Sequence, residues 1–267
     1  MTGILVFLAC VVLICLLTVF LICPASGRRA LRRAFTGRNY AHRGLFAVDQ
    51  SVPENSMPAF LAAVKAGYGI ELDVQFTSDR QLVVFHDDTL DRMTGVHGWV
   101  REISWQQMQQ LRLADTEYAP PLLSDVLAAV AGQVPLIVEI KSRASYSGAY
   151  LDELCRRVLE LLQGYEGLFC IESFDPRVVH RIRKYAPDVL RGQLADSTRS
   201  FRQEGAGALP AFVMSHLFGN FLGRPDFIAW CPAPRNGYDI IADIADVEDA
   251  NDAVIFQWYL PTTKYQQ

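Results

Sequence analysis

The stretch ELDVQFTSDRQLVVFHD, from Glu71 to Asp87, carries the pattern from which the rest of the chain can be read. Polar and apolar side chains alternate from Glu71 to Phe76, and an apolar run resumes at Leu82 after a short polar break. Period-two alternation on either side of such a break predicts a β-hairpin. With Ser78 and Asp79 as a two-residue tip, Asp73 is expected to face Val84 and Glu71 to face His86. Glu71 and Asp73 lie two residues apart and so share one face of their strand. Converging carboxylates repel and resist ionising unless a cation sits between them. All-oxygen ligation favours Mg²⁺ or Ca²⁺ over zinc, which prefers nitrogen and sulfur. Solvated strand acids paired with arginines are the other reading that this stretch leaves open.

Outward from the hairpin, short β-rich runs alternate with helix-like segments, the pattern of a parallel α/β sheet. Strands are expected at Tyr40–Leu45, Gly69–Thr77, Leu82–His86, Pro135–Lys141, Phe169–Phe174, Val189–Leu194, Asp226–Trp230 and Ala253–Trp258. Helices are expected at Ser56–Ala66, Trp105–Arg112, Ser124–Ala131, Tyr150–Leu162 and Pro176–Tyr185, with Asn55 or Ser56 capping the first and Gly67 ending it. As the return arm of a hairpin, Leu82–His86 would stand outside the parallel set.

PLIVEIK repeats the logic of the first strand, because Glu139 and Lys141 share a face at the end of an apolar run. In a β/α barrel that end gathers catalytic residues. A carboxylate for a metal and an ammonium for an anionic substrate would suit the pair, and a plain ion pair is the alternative. In YAHRGLFAVDQSVPENSMPAF, His42 and Arg43 sit where a strand gives way to a loop, and arginine offers a planar fork for phosphate oxygens. Two histidines at strand ends, His42 and His86, with three acids and two cations nearby, suggest an acid and a base working on a phosphate ester.

These motifs carry a resemblance. AHRG, PENSMPAF, GYGIELDVQFTSDRQLVVFHDDTLDRMTG, the Pro-Leu-Leu before Ser124, LIVEIK and IESFDP occur in the order seen in the glycerophosphodiester phosphodiesterase family, covering most of residues 40–194. RPDFIAW and DAVIFQWYLP resemble late barrel strands more weakly. The resemblance implies a TIM-type (β/α)8 barrel with a divalent cation, Mg²⁺ or Ca²⁺, held by Glu71, Asp73 and Glu139. Glu54 is placed near the metal, as a ligand or one layer behind the ligands. His42 and His86 become the acid/base pair, taken as base and acid respectively, and Arg43 and Lys141 bind the substrate phosphate. The implied reaction releases sn-glycerol 3-phosphate and an alcohol from a glycerophosphodiester. Lysophospholipids are the alternative substrate class. A catalytically weak, membrane-tethered relative that only binds a phosphodiester is a second reading, and a metal-dependent sugar-phosphate enzyme on the same barrel is a third. The family usually has a further strand before the last one. Between Trp230 and Val254 the chain is short for a helix, a strand and a second helix, which need roughly 30 residues, so DIIADI at 239–244 is the one candidate and the closing seam is expected to be thin.

The N-terminal residues read differently. Thr2 to Cys23 carries no charge and is long enough to cross a bilayer, and Arg28, Arg29, Arg32, Arg33 and Arg38 follow with no acid before Asp49. The division expected is a transmembrane anchor over 1–27, a basic juxtamembrane arm over 28–38 and a barrel domain over 39–267. Positive charge after the apolar run places the domain in the cytoplasm as a single-pass membrane protein. The arginines either lie on anionic lipid headgroups or serve only as a topology signal. Over 267 residues the formal charge is −4, and it is more negative still without the arm, which argues against non-specific nucleic-acid binding. The six cysteines show neither zinc spacing nor a disulfide framework.

Overall fold

A computed structural model describes residues 2–25, 27–203, 205–230 and 253–256. The chain opens with the exposed apolar helix α1 (Thr2–Ile22) and a short helix α2 (Arg29–Arg33), followed by β1 (Arg38–Ala41) and α3 (Met57–Ala66). Next come β2 (Gly69–Phe76), β3 (Leu82–Val84), α4 (Asp91–Thr94), α5 (Trp105–Met108) and α6 (Leu123–Val130). The remainder is β4 (Leu136–Ile140), α7 (Gly148–Gln163), β5 (Phe169–Ser173), α8 (Pro176–Tyr185) and β6 (Arg191–Ala195), then α9 (Thr198–Gln203), α10 (Ala208–Ser215), α11 (Asn220–Gly223), β7 (Phe227–Trp230) and β8 (Ala253–Phe256).

Parallel strands run in the order β7-β6-β5-β4-β2-β1-β8, and β3 pairs with β2 antiparallel. The result is a curled, half-barrel sheet with the helices of a TIM-type fold outside it. As the sequence implied, the hairpin's return arm stands outside the parallel set. Residues 239–244 and the seam between β7 and β8 lie outside the described residues, as do Gln257 and Trp258 of the last expected strand.

Local chemistry explains the elements. Ser56 accepts the Ala59 N–H as the cap of α3, and Gly67 ends that helix with φ 77°. The helix expected over Trp105–Arg112 stops at Met108, although a capping box of Ser104 and Gln107 starts it firmly. Every residue of β2 is buried, for two different reasons. Ile70, Leu72, Val74 and Phe76 join the main core with residues of α3, α6, α7 and α8, while Glu71, Asp73 and Gln75 alternate with them and face the barrel interior.

The hairpin register differs from the expected one. Val74 pairs with Val84 and Phe76 with Leu82, one residue away from the predicted pairing. The loop holds three residues rather than two: the Thr77 N–H donates to Gln81 O at 3.0 Å, and Arg80 takes φ 61°. A type I turn followed by a left-handed residue closes such a loop. His86 therefore does not face Glu71 across a ladder, and it reaches the carboxylates from the segment beyond β3.

The arm is also used differently from the lipid-binding expectation. Arg28 donates to Pro187 O at 2.6 Å and Asp188 O at 2.8 Å and lies 3.3 Å from the Asp226 carboxylate. Arg32 donates to Asp226 O at 3.0 Å, and Arg38 is already the first residue of β1. Phe35 packs with Tyr40, Ile137, Cys170 and Leu190 inside the sheet. Residues 187–190 and 225–226 precede β6 and β7, so the arm docks at the amino-terminal end of the strands. The end of α1 meets the same region, where the Asn220 amide donates to Ile22 O at 2.9 Å and the Ala25 N–H to Pro225 O at 2.7 Å.

Candidate active site

Tyr40, Ile137 and Cys170 form an apolar floor across β1, β4 and β5. Two residues further along the strands, about 7 Å higher, the same interior face turns acidic. In the sheet register Asp73 lies beside Glu139 and Glu139 beside Glu172, with Glu71 two residues below Asp73. Ligand oxygens of Glu71, Asp73 and Glu139 lie within 4.8 Å of one another, and all three residues are buried.

Cations surround this layer. The Lys141 Nζ, just past β4, lies 2.9 Å from Glu139 Oε1 and 3.2 Å from Asp73 Oδ1. The Asn55 amide donates to Asp73 Oδ2 at 2.8 Å, and the Arg43 backbone N–H donates to Glu71 Oε2 at 3.0 Å. The Arg43 guanidinium pairs with Glu54 at 2.7 Å and stands 3.6 Å from Asp73. His42 Nε2 is 3.8 Å from Glu71 Oε2. His86 holds Asp87 through Nδ1 at 2.6 Å, and Arg92 bridges that Asp87 to Glu54, at 2.6 Å and 2.7 Å.

Backbone geometry fixes these groups. Arg43, Gly44 and Asn55 have φ of 56°, 81° and 51°, and the Asn55 N–H donates to Arg43 O at 2.9 Å. A Cβ on Gly44 would lie 2.9 Å from the Ala59 carbonyl carbon, so only glycine allows this loop to pack on α3. The His-Arg-Gly and Pro-Glu-Asn motifs are thus clipped together beside the acids.

Electrostatics separates the carboxylates. Burial, with Asp73 and Glu139 close by, pushes Glu71 well above its ordinary value. Burial raises Glu139 to about 7 even though Lys141 opposes the shift. Asp73 is equally buried, but Lys141, His86, Arg43 and the Asn55 amide outweigh that and hold it well below the carboxylate range. Burial and Lys141 lower His86, against Asp73 and Asp87. The cations stay charged: Glu139 and Asp73 overcome the desolvation of Lys141 and raise it.

All the residues singled out in the sequence meet at this mouth, but Glu54 is engaged by Arg43 and Arg92 and stands outside the close acidic group. His97 is solvent-facing, paired only with Asp91. Glu172, Asn55, Asp87 and Arg92 were not singled out. The donor set suits a hard divalent cation: its ligand atoms are all oxygen, and the buried Asp73 Oδ1, although near Lys141, accepts no aligned hydrogen bond.

Comparison with known proteins agrees with this geometry. The model of the Glycerophosphoryl diester phosphodiesterase family matches residues 42–223. A glycerophosphodiester phosphodiesterase of Caldanaerobacter subterraneus subsp. tengcongensis is 33% identical over 223 residues, spanning 80% of this chain and 88% of that one. A match to a Bacillus subtilis relative, 36% identical, spans 56% of this chain and 62% of that protein. In fold, the chain is similar to an Oleispira antarctica phosphodiesterase in complex with the product sn-glycerol-3-phosphate, with a TM-score of 0.60, 18% identity, and coverage of 85% of this chain and 94% of that one. A glycerophosphodiester phosphodiesterase from Thermotoga maritima gives a TM-score of 0.53 at 22% identity, covering 82% and 93%. With its acids, cations and histidines gathered at the carboxyl ends of the strands, this chain belongs to the glycerophosphoryl diester phosphodiesterase family, a family of phosphoric diester hydrolases.

Proposed function

We propose that the protein hydrolyses water-borne glycerophosphodiesters to sn-glycerol 3-phosphate and an alcohol, using a divalent cation and two histidines. The observation that carries this reading is the convergence of Glu71, Asp73 and Glu139 with Lys141 at one mouth, flanked by His42 and His86. Glu71, Asp73 and Glu139 would hold the cation, with Glu54 one layer behind through Arg43. When bound, the cation supplies Lewis-acid stabilisation of charge on the phosphoryl oxygens. Arg43 and Lys141 orient the phosphodiester and offset the same charge. His42 takes the proton of the attacking hydroxyl, which in a glycerol ester is the substrate's own 2-hydroxyl, giving a cyclic phosphate that water then opens. His86 returns a proton to the leaving alcohol through Nε2, because Nδ1 is committed to Asp87. His42→Ala is expected to remove the acid limb of the pH–rate profile and His86→Ala the alkaline limb. Profiles that keep both limbs would sink this division of labour.

The docking of the arm separates the two substrate classes. We take α1 as the membrane anchor, with the domain on the cytoplasmic side. It joins the barrel at the amino-terminal strand ends, whereas His42, Lys141 and Asp73 cluster toward the carboxyl ends. That arrangement turns the mouth away from the bilayer, which favours a soluble diester over a lysophospholipid. The test is turnover by the full chain in vesicles, supplying glycerophosphocholine in solution or lysophosphatidylcholine in the same bilayer, with Mg²⁺, Ca²⁺ or EDTA. Metal-dependent release of glycerol 3-phosphate from the soluble diester is expected. Faster cleavage of the lipid would transfer the assignment to lysophospholipids, and no turnover of either would favour a binding-only relative.

A further inference from the structure

Glu172 is the one acid of the interior layer that the reading above leaves without a task. It lies on β5 directly beside Glu139 in the register, so both side chains project from the same face of the sheet. It is only 2% exposed. Its Oε2 accepts no hydrogen bond, and among the described residues it forms no ion pair. Each neighbouring acid has a partner: Asp73 has Lys141 and Asn55, Glu139 has Lys141, and Glu71 has the Arg43 N–H. Buried polar atoms are rarely left this way, and a buried carboxylate without a counter-charge is among the costliest groups a fold can hold. An apolar side chain would fill the position above Cys170 without that cost. The acid is explained if its partner is not part of the polypeptide.

We propose that Glu172 is a fourth carboxylate of the cation site and that the site consequently selects Ca²⁺ over Mg²⁺. This rests on the reading that Glu71, Asp73 and Glu139 hold a divalent cation. Four carboxylates from β2, β4 and β5 offer more oxygens than an octahedral ion accepts. Mg²⁺ demands near-ideal octahedral geometry, dehydrates reluctantly and is usually held by one or two carboxylates, whereas Ca²⁺ takes six to eight oxygens in flexible arrangements. The partners already on the other three acids sharpen the argument. Lys141 contacts both Asp73 and Glu139, so part of the donor capacity of those two residues is already used. Glu172 adds capacity where no protein cation competes for it.

The test is calorimetric titration of the full chain, stripped of metal, with CaCl₂ and with MgCl₂, beside melting curves with and without each salt. The wild type is expected to bind Ca²⁺ at least about tenfold more tightly than Mg²⁺. Glu172→Gln keeps the shape and removes the charge. It is expected to weaken Ca²⁺ binding by about ten- to a hundredfold and Mg²⁺ binding by less, and to shrink the rise in melting temperature that Ca²⁺ produces, without lowering that of the metal-free protein. Unchanged Ca²⁺ affinity and an unchanged melting shift in this variant would overturn the proposal, as would equal losses for the two ions. Glu172→Met, similar in length and apolar, gives the same comparison should the glutamine variant not melt cooperatively. Failure of the wild type to bind either ion would instead overturn the cation reading itself, an outcome separable from loss of Glu172 alone.

Discussion

Glu71→Gln and Asp73→Asn are each expected to lower kcat/KM by about a thousandfold, or about 4 kcal/mol of transition-state stabilisation, while moving the stability of the metal-free protein in opposite directions. Both substitutions keep the side chain's shape and delete one ligand charge. What differs is the surroundings. Asp73 touches Lys141 and Arg43 and accepts from Asn55, so its charge is favoured in the fold and its proton affinity lies well below the ordinary value of 3.8. Such a group contributes stability that is present above pH 3.8 and is lost as pH falls towards its folded value. Removing one partner of a buried ion pair costs about 3–5 kcal/mol. Relief of repulsion with Glu71 and Glu139 returns part of that, leaving a loss of about 2 kcal/mol. Glu71 has the opposite balance. Burial and two neighbouring acids raise it well above 4.5, so its contribution shrinks as pH rises through that value, and at neutral pH its carboxyl group strains the fold. A neutral glutamine still accepts the Arg43 N–H and removes the strain. Melting curves at pH 7 in EDTA are therefore expected to shift down for Asp73→Asn and up for Glu71→Gln. Shifts of the same sign would mean that the two acids do not differ as their partners imply.

How much of this could be read from the sequence depends on how local each feature is. The shared face of Glu71 and Asp73, and that of Glu139 and Lys141, follow from strand parity alone, which needs no knowledge of neighbours. Parity also separates the apolar stripe of β2 from its polar one. Pairing register is a different matter. The extra residue of the hairpin loop sits at Arg80 in a left-handed conformation, and arginine gives none of the warning that glycine or asparagine would. Glu172 was hidden for a related reason. Its place in the acidic layer depends on how β5 aligns with β4, two strands separated in sequence by the whole of α7. Arg92 reaches Glu54 from a loop after β3, and nothing in its local sequence distinguishes it from a surface arginine. The arm shows the converse. Its charge pattern reads plainly as a membrane-flanking signal, yet Arg28 and Arg32 spend their guanidinium groups on carbonyls and a carboxylate that only the folded barrel brings within reach.

Divalent-cation affinity is expected to rise by about tenfold or more between pH 6 and pH 8, with net release of protons on binding. The cation needs ionised carboxylates, and two of its ligands resist ionisation: Glu139 titrates at about 7, and Glu71 is raised well above its usual range. Below those values a proton occupies the place where the cation's charge is needed, so binding must displace it, and each proton displaced steepens the affinity by a factor of ten per pH unit. Asp73 is already ionised across this interval and adds no slope. Lys141 adds none either, because Glu139 and Asp73 keep it charged well above neutrality. The slope therefore reports on Glu139 and Glu71. Titrations in buffers of different ionisation enthalpy count the released protons directly. Glu71→Gln should bind weakly but with a shallower pH dependence, since one of the displaced protons is gone. An affinity independent of pH from 6 to 8 would show that both acids are ionised before the cation arrives. The burial of this layer above the floor of Tyr40, Ile137 and Cys170 would then not be the force that sets its charge.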